Sequence, residues 1–257
     1  MNFTPEELTR YDRQIRIRQL GKDGQERLKQ ACIAVAGAGG LGSPAAMYLA
    51  AAGVGRLRII DSDTVETGNL NRQLLHGQQD EGRPKTESAK ETLTRLNPDI
   101  RVEVIQARIV PKNAQDLFQD CQGIVDAMDN IETRYILNQT AISLGIPLFH
   151  GAVNGFEGQA MTVLPGTSAC LYCLYGKPVQ NAPKEVIPVI GVTPGVIGTI
   201  QATEVIKFLT GTGDLLTNRL IRYDGLAMAF KEFGIRQRPD CGHCGHCGHG
   251  NTGKEEK

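Results

Sequence analysis

The sequence predicts an α/β protein: a Rossmann-like, doubly wound, mostly parallel sheet with an added antiparallel C-terminal portion and a structural zinc site. Three observations predict it. Apolar runs ending in polar residues alternate with helix-forming runs between residues 31 and 150, the βαβα order of a parallel sheet covered by helices. The first apolar run (Ile33, Ala34, Val35, Ala36) ends in Gly37-x-Gly39-x-x-Gly42, and a helix-forming run, Pro44 to Ala52, follows. Beyond Gly151 the alternation stops, and Cys170-x-x-Cys173 and Cys241-x-x-Cys244 supply two thiolate pairs.

The elements follow in order. Thr4-Pro5-Glu6-Glu7 is a capping box with proline at the first helical position, so a helix starts there. Tyr11-Asp12-Arg13-Gln14-Ile15-Arg16-Ile17-Arg18 sets three arginines within six residues, in isolation a solvated basic face. Residues 24 to 30 lead into the first strand. In the glycine motif, Gly37 permits a tight turn. Gly39 and Gly40 let backbone N–H groups approach phosphate oxygens, and Gly42 lets the helix pack near the strand. A second apolar run (Leu57, Ile59, Ile60) ends in Asp61, 19 residues after Gly42, a spacing that suits a carboxylate on ribose hydroxyls. The alternative is a glycine turn needed only for packing.

The polar segment from Ser62 to Leu74, with Asp63, Asn69, Arg72 and Gln73, leaves this strand at the carboxyl edge of the sheet, where α/β proteins bind ligands. Lys85 opens an amphipathic helix whose apolar positions include Ala89, Leu93 and Leu96. Val102, Val104 and Ile105 form a strand. Residues 123 to 128 form another that runs into Asp129-Asn130. A helix over 133–144 and a strand over 147–150 complete the alternation. Then come a strand over 160–164, a proline-rich crossing loop over 174–193, a helix over 198–209 and closing strands over 220–223 and 227–233. Residues 1–250 are expected to form a single domain, with a nucleotide-binding half at about 31–150 and a second half at about 151–247. Residues 251–257 are expected to be a disordered tail.

Composition excludes several classes. Lys+Arg and Asp+Glu are both 28, so no global charge draws the chain to nucleic acid or membrane. Residues 31–55 carry no charge, but their six glycines and Pro44 read as strand, turn and helix rather than a membrane span. The first residues lack the basic region and apolar run of a signal peptide, so a cytoplasmic location is expected. There, seven cysteines point to metal or catalysis more than to a disulfide framework.

Two Cys-x-x-Cys knuckles, each placing two thiolates on one side of a turn, complete a tetrahedral S₄ shell for Zn²⁺. Cys170, Cys173, Cys241 and Cys244 are the expected ligands, in a structural site remote from the chemistry. His243, His246, Cys247 and His249 are surplus: bystanders, alternative ligands or a separate metal tail.

The glycine turn, Asp61, Asn69-x-x-Arg72-Gln73, Lys85, Asp129-Asn130 and the paired knuckles together go beyond what a dehydrogenase needs. This set resembles the ThiF/MoeB/HesA family, bacterial relatives of ubiquitin-activating enzymes, from Tyr11-Asp12-Arg13-Gln14 to Cys244. The pattern looks most like the molybdopterin-synthase or thiamine sulfur-carrier adenylyltransferases. The resemblance implies attack on the α-phosphate of ATP by the C-terminal glycine carboxylate of a ubiquitin-like sulfur carrier ending in Gly-Gly. Pyrophosphate leaves and an acyl-adenylate remains. It assigns phosphate contacts to Arg72 and Lys85, Mg²⁺ to Asp129, and ribose to Asp61. Gly37, Gly39, Gly40, Gly42, Asp63, Asn69, Gln73 and Asn130 complete the nucleotide site. The equivalent of Arg13 reaches the partner subunit's nucleotide, which implies a homodimer.

Alternatives stay open at this point. Arg72 and Lys85 can be helix-surface charges, and Asp129-Asn130 a helix cap. An enzyme that adenylates a tRNA modification to dehydrate it, a nicotinamide-dependent dehydrogenase, and a nucleotide-binding scaffold without turnover share parts of the pattern. Residues 174–233 contain no cysteine, and Cys32 and Cys121, at strand starts, are expected to be inert. The reaction is therefore expected to stop at the adenylate, which a separate cysteine desulfurase or rhodanese-like donor would consume.

Overall fold

The computed structural model describes residues 3–177 and 187–244. In chain order the strands are β1 (Cys32–Ala36), β2 (Arg56–Asp61), β3 (Arg101–Gln106), β4 (Ile124–Asp126), β5 (Leu148–Asn154), β6 (Glu157–Val163), β7 (Arg219–Asp224) and β8 (Ala229–Gly234). They form one eight-stranded sheet of order β3-β2-β1-β4-β5-β6-β7-β8. From β3 through β5 every neighbour is parallel, and from β5 to β8 every neighbour is antiparallel. The α-helices are α1 (Pro5–Ile15), α2 (Gly21–Gln30), α3 (Gly42–Ala52), α4 (Lys85–Leu96), α5 (Ala114–Phe118), α6 (Ile131–Leu144), α7 (Leu171–Tyr175) and α8 (Val192–Thr210).

Residue chemistry explains the sheet. In β1, Ile33 and Val35 enter one buried cluster with Leu49 and Val205, while Ala34 and Ala36 enter another with Phe118 and Leu137. Both faces are covered, as a central parallel strand requires. After β3 the chain returns to the other side of β1, so β1 and β4 flank a switch point, whose carboxyl ends are where such sheets bind ligands. The turn to antiparallel pairing is local. Asn154 pairs with Glu157 around Gly155-Phe156, and Gly155 has φ +58°, the glycine-first geometry of a tight hairpin.

Most elements land close to expectation, but α2, α5 and α7 have no counterpart among the expected helices, β5 runs on to Asn154 and β6 begins at Glu157 rather than 160. Three further differences have local reasons. Helix α8 begins at Val192 rather than 198. Pro194 and Gly195 read as breakers, yet a proline in a first helical turn removes only an N–H that has no helical partner. Leu96, expected on the apolar face of α4, is 38% exposed because it lies in the last turn, beyond the buried Ala89 and Leu93. The crossing loop is shorter than the 174–193 expected: α7 and α8 take its ends, and residues 178–186 lie outside the described residues. So does the tail over 251–257. No helix among the described residues is long and apolar enough to cross a membrane.

Candidate active site and metal centre

The glycine turn is built into the switch point. Gly37 has φ +103°, and a Cβ there would lie 2.7 Å from the Ala127 carbonyl oxygen, just past β4. At Gly42 a Cβ would stand 1.9 Å from the Gly37 oxygen, so α3 starts pressed onto the turn. Both backbone groups of Ala38 are held. Its N–H donates to Asp61 Oδ2 at 2.7 Å, and its carbonyl lies 2.9 Å from His76 Nε2. A carbonyl only accepts, so Nε2 carries the proton and Nδ1 accepts from the Ser88 hydroxyl at 2.9 Å. Burial pushes the His76 pKa down, against the hydrogen bond to Ala38, and favours this neutral ring. No side chain caps the start of α3, which leaves N–H groups and the positive dipole end for an anion. Gly37→Ala should cost about 2 kcal/mol or more, through a strained φ and the clash with Ala127. A shift in the urea midpoint at unchanged slope measures it; an unshifted midpoint contradicts the packing described.

Around this turn the structure gathers most of the expected residues. Asp61 Oδ1 accepts from the Asp63 N–H at 2.8 Å, so both oxygens of Asp61 organise backbone. Lys85 is only 6% exposed, and its Nζ donates to Asp63 Oδ2 at 3.0 Å. It is not a helix-surface charge. Arg72 donates to the Gly68 carbonyl and Asn71 Oδ1, both at 2.9 Å, and its Cγ would lie 3.6 Å from a Cβ at Gly40. Asn69 turns the chain: its carbonyl accepts from the N–H groups of Arg72 and Gln73. The Gln73 side chain packs toward Gly39, and Gln73 Oε1 and Thr86 Oγ1 are buried with no partner among the described residues. Orphaned polar atoms at such a place await a ligand or water.

Asp129 is exposed on the turn after β4, and Met128 Sδ would lie 3.5 Å from a Cβ at Gly37. Asn130 caps α6, accepting from the Thr133 N–H at 2.9 Å, while its Nδ2 donates to Asp129 Oδ1 at 3.3 Å. Its helix-cap reading is correct; one Oδ1 lone pair and one amide hydrogen are not used by these bonds.

Arg13 stands apart. Its neighbour Tyr11 packs on Gly53 and accepts from Asn97 at 2.8 Å, and Gln14 donates to the Ala52 carbonyl at 3.2 Å. These partners lie at the C-terminal ends of α3 and α4, whereas the glycine turn meets the N-terminal end of α3. The 11 residues of α3 separate the two by about 16 Å.

The four cysteines converge. Their Sγ atoms lie within 4.8 Å of one another, with Cys170–Cys241 at 3.7 Å, Cys173–Cys244 at 3.3 Å and Cys241–Cys244 at 3.6 Å. A tetrahedral shell with Zn–S bonds of about 2.3 Å needs sulfurs roughly 3.8 Å apart. Burial opposes the thiolate of Cys241, but N–H groups of Cys244 and His243 help bring its pKa to about 7. His243 is engaged elsewhere, stacked on Tyr172 at 3.6 Å and bonded to Gln139. His246, Cys247 and His249 lie outside the described residues.

Sequence reading passed over three groups. His76 clamps Ala38. Asp126, the last residue of β4, and His150, the third residue of β5, are fully buried and pair at 2.7 Å. A carboxylate and an imidazole closing otherwise apolar strands were the available signal. Cys32 and Cys121, expected to be inert at separate strand starts, lie with their Sγ atoms 3.5 Å apart.

Comparison with known proteins agrees with this geometry. The ThiF family model matches residues 11–243. The chain is 44% identical over 242 residues to the SAMP-activating enzyme E1 of Haloferax volcanii, covering 91% of this chain and 88% of that one. It is 42% identical over 252 residues to the sulfur carrier protein adenylyltransferase of Thermus thermophilus, covering 94% and 92%. E. coli MccB shares the fold at TM-score 0.82 and 22% identity, over 95% of this chain and 74% of its own. The two curated relatives are an activating enzyme and an adenylyltransferase, not dehydrogenases. On this match and this architecture, the chain belongs to the ThiF family.

Proposed function

We propose that this chain adenylates the C-terminal glycine carboxylate of a ubiquitin-like sulfur-carrier protein ending in Gly-Gly, in sulfur transfer for molybdopterin, thiamine or related biosynthesis. The carrying observation is one carboxyl edge that holds the clamped glycine turn, the uncapped start of α3, Arg72, buried Lys85 and Asp129. The names of the H. volcanii and T. thermophilus relatives support the same reading.

The chemistry follows from charge. A carboxylate approaching a triphosphate is repelled, so the site must supply positive charge. The glycine-turn N–H groups and the α3 dipole face the phosphates, Arg72 and Lys85 add cations, and Gln73 and Asn69 add polar contacts. Asp61 takes the ribose hydroxyls with the lone pairs its backbone bonds leave free. The carrier's carboxylate oxygen bonds to the α-phosphorus, the α–β bridging bond breaks, and pyrophosphate leaves. Asp129, an exposed hard-oxygen ligand beside the glycine turn, fits Mg²⁺, which when bound neutralises phosphate charge. The S₄ cluster fits Zn²⁺ as a structural ion.

The carrier would dock on the outer hairpin. Leu226 and Met228, 79% and 75% exposed, lie on the β7–β8 turn with exposed Phe230 on β8, and the carbonyl of exposed Phe156 accepts from the Gly225 N–H beside them. A second copy of the chain would cover exposed Leu74 and Val192; Gly191 packs on the Asn71 and Arg72 backbone between them. The adenylate then passes to a separate cysteine desulfurase or rhodanese-like donor in the cytoplasm.

The test is ATP–pyrophosphate exchange with Gly-Gly carriers, followed by denaturing mass spectrometry without reductant. Carrier-dependent exchange and carrier adenylate alone are expected. A thiol-sensitive enzyme–carrier adduct would overturn the activation-only step, and stoichiometric NAD(H) binding without ATP binding would overturn the function.

A further inference from the structure

Adenylation as proposed makes no use of the Asp126–His150 pair, yet the core holds it at 0% exposure. Burying such groups is costly where apolar residues would pack as well. The two are register partners on β4 and β5, so their side chains lie side by side. Burial pushes the His150 pKa down and favours the neutral ring, which fixes the hydrogen-bond directions. Asp126 accepts from His150 Nδ1–H at 2.7 Å, which makes Nε2 an acceptor, and the Tyr175 hydroxyl donates to it at 2.9 Å. Gln159 donates to the same hydroxyl from a groove of about 360 Å³ on β5–β7.

The other end of the chain of bonds reaches the cation turn. Asp126 Oδ1 accepts from the Met128 N–H at 3.2 Å, one residue before Asp129. Arg134 donates to the Met128 carbonyl at 2.6 Å and lies 3.9 Å from Asp126 Oδ2. Gln201 Nε2 holds the Asp126 carbonyl at 2.7 Å from the opposite side. Tyr175 is the last residue of α7, a five-residue helix too short to persist alone. The cysteine cluster and the bond from Tyr135 to the Gly176 carbonyl at 2.7 Å pin it.

We propose that Tyr175, His150 and Asp126 form a hydrogen-bonded strut that positions the Met128–Asp129 turn for a divalent cation on the bound nucleotide. His150 and Tyr175 are positioning residues, acting through Asp126, and the strut also ties the cation turn to the metal-knuckle helix. This inference rests on the reading of Asp129 as the cation ligand.

The experiment titrates Mn²⁺ into the full chain with a non-hydrolysable ATP analogue, read by electron paramagnetic resonance. Tyr175→Phe removes only the hydroxyl; His150→Gln is the second variant. Both should weaken Mn²⁺ binding in the ternary complex by about 5- to 10-fold, the effect of roughly one hydrogen bond. Affinity for the analogue without Mn²⁺, the zinc content and the melting temperature of Tyr175→Phe should match the parent. A merely structural role would move the melting temperature and both affinities together. Unchanged Mn²⁺ binding in both variants, beside a parent that binds it with nucleotide, overturns the strut alone. A parent that binds no Mn²⁺ with nucleotide overturns the adenylation reading as well.

Discussion

Replacing Arg13 with alanine should lower ATP–pyrophosphate exchange by about 10³–10⁵-fold, the range for arginines supplied in trans to phosphoryl-transfer sites. We propose that Arg13 acts in trans, which the placement of its neighbours supports: Tyr11 and Gln14 bind the far end of α3, about 16 Å from the glycine turn. It is exposed, and its removal should leave the melting temperature unchanged. Arg13→Ala and Asp129→Ala chains, each nearly inactive alone, should regain exchange when mixed, because a heterodimer contains one intact site. No recovery in demonstrated heterodimers would count against this arrangement, and full activity of Arg13→Ala would remove the residue from the site.

Cys170→Ser, or removal of zinc by a chelator, should have the second large effect, this time on stability. The sulfur spacing suits a tetrahedral ion, and what such an ion would hold has little regular structure of its own: α7, and the irregular chain after β8 up to Cys244. A loss of about 3 kcal/mol or more is expected, a share of the roughly 10–16 kcal/mol with which such shells bind zinc in isolated peptides. Metal analysis should find one zinc per chain, and the melting temperature should fall with chelator. Protein purified without chelators that contains no zinc would refute the site. The centre is less remote from the chemistry than the sequence suggests: Tyr175 follows Cys173 by two residues and bonds to His150. On the strut argument, zinc loss therefore also weakens cation binding.

By itself the sequence determined most of the strands and helices from 31 to 150, though not α5, together with the glycine turn and which four cysteines pair as two knuckles. These are local matters. Alternating apolar runs, a Gly-x-Gly-x-x-Gly turn and Cys-x-x-Cys spacing each act within a few residues, so residue type and period suffice. Tertiary structure alone decided which distant groups meet. It brought Cys170 to Cys241, buried Lys85 beside Asp63, put His76 on Ala38, paired Asp126 with His150, and carried Arg13 to the far end of α3. A buried polar side chain is stabilised by a partner that the sheet order brings alongside it, often from far along the chain. In this protein that order was set only when β4 and β5 crossed to the other side of β1.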